Sequence, residues 1–407
     1  MNHRGSLPAP GAPPLAIKVV VRFRSYRRSM VRRTLAPALA LLGVASVAAC
    51  GGGEESSPNA AEQERIAPAA QPSAPAAPAE ASTAQAAQSS PPRVLARNLR
   101  VPWGVAFLPG GDALVSERTT GRILRIGKNG GTAKVVMRVP GVSTDAGEGG
   151  LLGLAVSKAY ARDKRVYAYY TTSRDNRIAR FKLGQKPRVI FSGIEAAAIH
   201  NGGRLAFGPD GKLYVGTGDA GNMVNAQNRR SPNGKILRLN PDGSVPASNP
   251  FRGSPVWSLG HRNVQGLAFD PDGRLWAPEF GQNTFDEVNL IQKGKNYGWP
   301  VVEGRGTGNG RFVSPKVVWR TSESSPSGAA IIGKNLYVGA LVGRRLWKIP
   351  LDGASAGTPQ KLLDGDYGRL RSPAAAPDGS LWVTTSNRDG RGSPADDDDR
   401  VLQLARP

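Results

Sequence analysis

For residues 93–407 the sequence predicts an all-β fold, a six-bladed β-propeller, on three observations: one strand–turn–strand unit recurs six times, its turns share a chemistry, and its spacing is that of a blade. The unit is an apolar strand carrying alanine, a turn, a second strand with aromatic or Leu-Val content, a variable loop and a third strand of the Ile-Leu-Arg-Leu kind. Its instances are GVAFLPGGDALVSE with GRILRI, GLAVSKAYARDKRVYAYY with RIARFKL, RLAFGPDGKLYVGTG with GKILRL, GLAFDPDGRLWAPEF with DEVNLI, GAAIIGKNLYVGAL with RRLWKI, and PAAAPDGSLWVTTS with DRVLQL.

Used as a ruler, Ala106, Ala155, Ala206, Ala268, Ala330 and Ala375 are separated by 49, 51, 62, 62 and 45 residues, against roughly 40 to 50 for a four-stranded blade. Turns such as Pro209-Asp210-Gly211, Pro271-Asp272-Gly273 and Pro377-Asp378-Gly379 set φ with proline, bond locally through aspartate and take positive φ at glycine. These aspartates therefore read as structural. An early strand near Val94 to Leu99 is expected to pair with the last blade and close the ring, which removes exposed sheet edges. A β-sandwich offers no reason for six related units.

Ahead of this domain the composition changes three times. Residues 1–29 are basic with no apolar period and read as a non-structural extension; residues 30–49 form a basic start, a short apolar run and small residues, an export signal. The run ends in Val47-Ala48-Ala49-Cys50, a lipobox pattern, so Cys50 is expected to carry a lipid. Residues 50–92, rich in Ala, Pro, Ser and Gln, read as a disordered tether. The chain is thus expected on the periplasmic side of a bacterial membrane, with Gly51 rather than Asp pointing to the outer membrane by analogy. Cys50 is the only cysteine, which excludes an intramolecular disulfide and any thiolate metal site. The formal net charge is +23, with eight of the cations before Cys50. Because the basic residues are dispersed singly, nucleic acid is set aside as a partner in favour of an anionic membrane or an acidic redox protein.

In a propeller, loops from distant blades converge at one end of the channel, so chemistry is sought in polar loops that break the repeat. The folded region holds two histidines, His200 and His261, each in such a loop. Asp219, one hairpin after His200, is placed to orient its ring, as a general base requires; a satisfied structural histidine is the equal alternative on these residues alone. Arg262 and Asn263 set a guanidinium beside an amide, which suits carboxylates or quinone oxygens but also a blade-to-blade ion pair. The run Asp396 to Asp399 reads as a solvated loop, with a calcium site as the sharper alternative, and Asp286 and Glu287 as loop or strand-start residues.

The segments GGLLGLAV, HNGGRLAFGPDGKLYVGTGDAGN, GKILRLNPDGSVPASNPF, LGHRNVQGLAFDPDGRLWAPEFGQNTFDEVNLIQKGKNYGWP and TSNRDGRG resemble the pyrroloquinoline-quinone (PQQ) dependent aldose sugar dehydrogenases, across essentially all of residues 93–407. The resemblance implies that His200 takes the proton of the sugar's anomeric hydroxyl while hydride passes to PQQ, with Asp219 orienting and charge-stabilising His200. It implies that Arg262 and Asn263 contact the quinone oxygens, that Arg369 and Arg371 grip the cofactor, and that Trp319 and Thr321 stack on it and hydrogen-bond to it. It also implies a calcium ion held by the backbone carbonyls of Gly281 and Gln282, polarising the quinone. Electrons would leave to a quinone or cytochrome.

Three positions depart from the family pattern. Glu148 falls at a cofactor-binding position where Gln is usual, which would set a carboxylate beside the base and raise its pKa. Val342 stands where a cofactor-binding Lys is expected, with Arg344 as the nearby substitute, and Ile199 replaces an acidic neighbour of the base. They motivate a rival reading, a non-catalytic binding propeller. A calcium-dependent lactonase, the other rival, would need carboxylate ligands where this chain offers arginines.

Overall fold

The computed structural model describes residues 91–407 except Ala146 and Arg406. The extension, the signal segment, Cys50 and the tether up to residue 90 lie outside the described residues.

Six antiparallel sheets follow one another along the chain. Blade one comprises Pro102–Phe107, Ala113–Glu117, Arg122–Ile126 and Lys134–Arg138; blade two, Leu151–Val156, Val166–Thr171, Asn176–Phe181 and Arg188–Ile194. Blade three is Arg204–Phe207, Leu213–Gly216, Lys235–Leu239 and Val256–Leu259; blade four, Ala268–Phe269, Leu275–Glu279, Phe285–Ile291 and Val317–Arg320. Blade five runs through Pro326–Ile332, Asn335–Ala340, Arg345–Asp352 and Gln360–Leu362. Blade six takes Leu370–Ala375, Leu381–Thr385 and Val401–Leu404 from the C-terminus and its outermost strand, Arg93–Ala96, from the start of the domain. Arg93 lies opposite Gln403 and Val94 opposite Leu402, the expected ring closure.

The register corrects the alanine ruler at one point. Ala106, Ala155, Ala206, Ala268 and Ala330 face Leu114, Tyr167, Tyr214, Trp276 and Tyr337. In blade six the residue facing the equivalent Trp382 is Ala374, and Ala375 faces Leu381. Three consecutive alanines made the slip invisible in sequence; the hairpin's hydrogen bonds fix it.

The innermost strands crowd the axis. A Cβ on Gly104 would lie 2.7 Å from the Leu152 carbonyl oxygen of the next blade, so only glycine lets these backbones approach. Apolar side chains fill the gaps between neighbouring blades. Between blades two and three Tyr167, Tyr169 and Ile178 pack on Leu213, Val215 and Leu237, and between four and five Trp276 and Val288 pack on Leu336 and Val338. The core is therefore a ring of interblade layers, and the channel itself is polar. There Arg204 donates to the Gln265 carbonyl (2.6 Å) and the Ser372 hydroxyl (2.9 Å) and lies over the Trp103 ring. Burial, with the neighbouring Arg371 guanidinium, pushes Arg204 down to about 9, which leaves it charged at neutral pH.

One expectation about acidic residues changes. Asp398 and Asp399 are buried, not solvated: Asp399 accepts from the Asn387 and Val101 amides and the Thr385 hydroxyl, and Asp398 from Asn387 Nδ2, the Ala395 amide and Arg400. They knot the long loop before the last strand to the closing strand's exit. Asp286 and Glu287 stand at the start of a strand, as expected, and are buried. The turn aspartates behave as expected at Asp210 and Asp378, whose carboxylates accept the amides two residues on; in blade four Asp270 takes that task, bonding the Asp272 and Arg274 amides and the Trp276 indole.

Candidate active site

Each inner strand starts at one end of the ring, and loops converge there above the channel. His200 stands just before an inner strand and Asp219 just after the strand paired with it. His200 Nδ1 lies 2.7 Å from Asp219 Oδ1, so the two side chains meet across the hairpin's open end. Asp219 is fully buried and also accepts from Trp299 Nε1 (2.8 Å) and the Gly221 amide (2.8 Å). Burial disfavours its charge, but those donors outweigh it and hold the carboxyl below the usual range. With Nδ1 engaged, Nε2 is the free ring nitrogen, without a hydrogen-bond partner among the described residues.

His200 is held in a left-handed conformation, φ 58°, that non-glycine residues seldom adopt. Its amide donates to Glu148 Oε2 (3.0 Å) and its carbonyl accepts the Ala220 amide (3.2 Å). A Cβ on Gly218 would stand 1.8 Å from the His200 carbonyl oxygen, so this histidine is seated against bare backbone. Backbone strain of this kind collects at functional sites.

The second histidine is structural. His261 is fully buried, its Nδ1 2.8 Å from Glu279 Oε2 and its Nε2 2.8 Å from the Ser258 hydroxyl, and its ring stacks on Tyr297. Glu279 also accepts the Arg262 amide, so His261 and Glu279 set the strand end that presents Arg262. Arg262 lies over the Trp299 ring, 5.5 Å from its centroid, with its Nε buried and unpartnered among the described residues. Asn263 accepts the Gly202 amide through Oδ1 (2.9 Å), leaving its NH2 without a partner among the described residues.

Glu148 spans two blades. Besides the His200 amide it accepts from Arg391, whose Nη1 donates to Glu148 Oε1 at 2.7 Å. Burial works against its ionisation, but the Arg391 and His200 donors hold it below its ordinary value, so it is a carboxylate at neutral pH. Arg369 and Arg371 converge on a partner the sequence did not assign: both bond the buried carboxylate of Asp389, at 2.9 and 3.2 Å. Arg371 also reaches Ser386 and Gln265 and sits at the channel mouth.

Trp319 is not at this site. It stacks on Trp347, ring centroids 5.3 Å apart, inside the apolar layer between blades four and five. Strand alternation decides this: Val317 and Trp319 face the core, and the site begins only past the strand's end, where the Thr321 hydroxyl reaches the Asn283 carbonyl. Val342 and Arg344 share an exposed turn at the same end of blade five, and Ile199 is 41% exposed beside the base.

Gly281 and Gln282 lie in a loop whose four amides, Gln282 to Phe285, converge on one oxygen of Glu303 at 2.7 to 3.2 Å. In a trans peptide the carbonyl points opposite the N–H, so the Gly281 and Gln282 carbonyls face away from Glu303; neither accepts a hydrogen bond among the described residues. That donor set suits a hard cation.

Several participants escaped the sequence reading. Arg118, at the end of a blade-one strand, has a buried, unpartnered Nε among the described residues and lies within electrostatic reach of Asp389, Glu148 and Arg369. Trp299 and Asp389 stand inside NYGWP and TSNRDGRG, whose local pattern carries no sign of their partners. Buried Lys235 donates to the carbonyls of Asn225, Ala226 and Asn233, and Asn225 in turn bonds the Asp219 carbonyl, so the lysine fastens the loop that carries the carboxylate.

The family model described as "Glucose / Sorbosone dehydrogenase" matches residues 99–394. The uncharacterized protein slr1608 of Synechocystis is 37% identical over 346 residues, 72% of this chain and 83% of its own. Aldose sugar dehydrogenase YliI of Escherichia coli is 28% identical over 73% of this chain and 90% of its own. Among solved structures, the PQQ-bound form of aldose sugar dehydrogenase from Streptomyces coelicolor is 51% identical, covers 76% of this chain and 96% of its own, and superposes with a TM-score of 0.74. Residues, fold and matched span agree: the chain belongs to the glucose/sorbosone dehydrogenase family of oxidoreductases.

Proposed function

We propose that the protein oxidises the anomeric carbon of an aldose to a lactone with PQQ and calcium, His200 acting as the base. The observation that carries this reading is the fixed His200–Asp219 pair, whose Nε2, like the buried Nε atoms of Arg118 and Arg262 beside it, has no partner among the described residues. The unpaired Nε atoms of Arg118 and Arg262 and the free amide of Asn263 fit an anionic, oxygen-rich cofactor. Arg369 and Arg371, oriented by Asp389, and Thr321 complete the residues that would hold it, and the Gly281 and Gln282 carbonyls would hold the calcium.

When bound, the quinone would supply a two-electron acceptor for the hydride leaving the sugar's anomeric carbon, polarised by the cation. His200 Nε2 takes the proton of the anomeric hydroxyl, and ionised Asp219 stabilises the imidazolium that results. Arg262 sets positive charge where negative charge develops. Glu148 fixes the backbone of the base rather than sharing its proton, since both of its oxygens are engaged. A quinone or cytochrome would take the electrons, and a lipid on Cys50 would tether the enzyme to a membrane on its periplasmic side.

The test is the full chain with PQQ, calcium and an aldose panel, read by dye reduction. His200→Ala is expected to keep cofactor binding, seen in the cofactor's absorbance, while losing about 100-fold or more in kcat. Wild-type protein that binds no cofactor, or a His200→Ala variant with undiminished turnover, overturns the assignment.

A further inference from the structure

The end of the ring opposite the site carries a second feature. In blade two the strand ends Val156, Val166, Phe181 and Arg188 lie together at that end, so the hairpins 157–165 and 182–187 sit side by side. They present five exposed cations, Lys158, Arg162, Lys164, Lys182 and Lys186, and Arg188 at the start of the adjoining strand adds a sixth, none in an ion pair among the described residues. The single carboxylate there, Asp163, is taken by the Ser157 hydroxyl and the Arg165 amide. The corresponding turns of other blades mix signs: Asp112 pairs with Arg125, Asp210 with Arg238 and Asp272 with Arg274. Val189, 40% exposed, adds an apolar residue at the patch's edge.

Arg93, where the domain's first strand begins, lies at this same end. It pairs with Gln403 near the bottom of blade six, and its guanidinium bonds the Asn129 carbonyl in blade one's hairpin there, one blade away from the patch. We infer that this basic face of blade two docks on anionic phospholipid headgroups, holding the protein with its site end turned away from the membrane. Charge complementarity names the headgroups, and the entry of the chain on the same face favours a membrane over an acidic protein. That second argument rests on the reading of Cys50 as a lipid anchor, 43 residues before Arg93; the charge argument does not. Neither depends on the sugar-oxidising activity.

The experiment uses the full chain carrying Cys50→Ser, which removes the lipid, with vesicles of phosphatidylglycerol and phosphatidylcholine or of phosphatidylcholine alone. Hydrogen exchange is expected to slow in hairpins 157–165 and 182–187 only with the anionic vesicles, and the protection to fade at high salt. Combining Lys158→Gln, Lys164→Gln, Lys182→Gln and Lys186→Gln should weaken binding through this face about 600-fold, at about fivefold per cation. Neutralising Arg305, Lys316, Lys348 and Lys361 on blades four and five should leave the hairpins' protection intact, and unchanged melting temperatures confirm folding. Anionic vesicles that bind the chain without protecting these hairpins overturn the inference, as does protection appearing only with an acidic protein. If docking holds but Cys50 proves unlipidated in cells, the face is a membrane surface without the anchor.

Discussion

Asp219→Asn is nearly isosteric and isolates the charge beside the base. The carboxylate stands 2.7 Å from His200 Nδ1 and is fully buried, so it bears directly on the imidazolium formed when the sugar's proton is taken. Two unit charges whose centres stand about 4 Å apart across this contact interact by about 4 kcal/mol at an effective dielectric near 20; the neutral amide's dipole keeps part of that, and a loss of about 3 kcal/mol is worth about 100-fold in rate. The amide oxygen can still accept from His200 and Gly221, but its NH2 must then face the Trp299 indole N–H, donor against donor. That mismatch costs about 1 to 3 kcal/mol of stability. Because the folded-state pKa of Asp219 is depressed, the stability it contributes is present above the unfolded carboxylate range and lost as pH falls through the folded value, so the variant's deficit in melting temperature should shrink in acid. Steady-state turnover on the cofactor-loaded enzyme should show kcat down about 100-fold with KM little changed. A kcat within threefold of wild type, with the melting temperature also unmoved, would refute the charge-stabilised base.

Trp319→Leu should destabilise the protein by about 3 kcal/mol, through the cavity left against Trp347, while cofactor affinity measured by titration stays unchanged; a tenfold loss of affinity at constant stability would return Trp319 to the site. Glu287 faces Glu279 across the blade-four ladder, and burial together with that carboxylate pushes it up to about 8. A raised carboxyl stabilises the fold fully below its unfolded value and loses that contribution as pH rises through about 8. Glu287→Gln, which stays neutral, should therefore gain in melting temperature relative to wild type from pH 5 to pH 9, and a pH-independent difference would show that Glu287 does not hold its proton.

Much of this architecture was legible because it is written in short-range chemistry. Proline, aspartate and glycine within a few residues specify a turn, and the repeated alanine strand specifies a blade, so six units and their closure could be counted without coordinates. His200 and Asp219 were legible as a pair because a single hairpin separates them. The partners of the other site residues were not, because they come from distant blades: Glu148 meets Arg391 across 243 positions, and Arg204 reaches Ser372 across 168. No local pattern distinguishes His200, whose Nε2 is free, from His261, whose two nitrogens are both taken; only packing assigns the donors. Trp319 was misplaced for the same reason, since a one-residue change of phase along a strand exchanges core for surface. The sequence by itself determined the propeller, its turns and the chemical types gathered at one end. Tertiary structure decided which guanidinium is free, which is clamped by Asp389, and which face is left basic, because buried charge is settled by neighbours the chain brings together only on closing the ring.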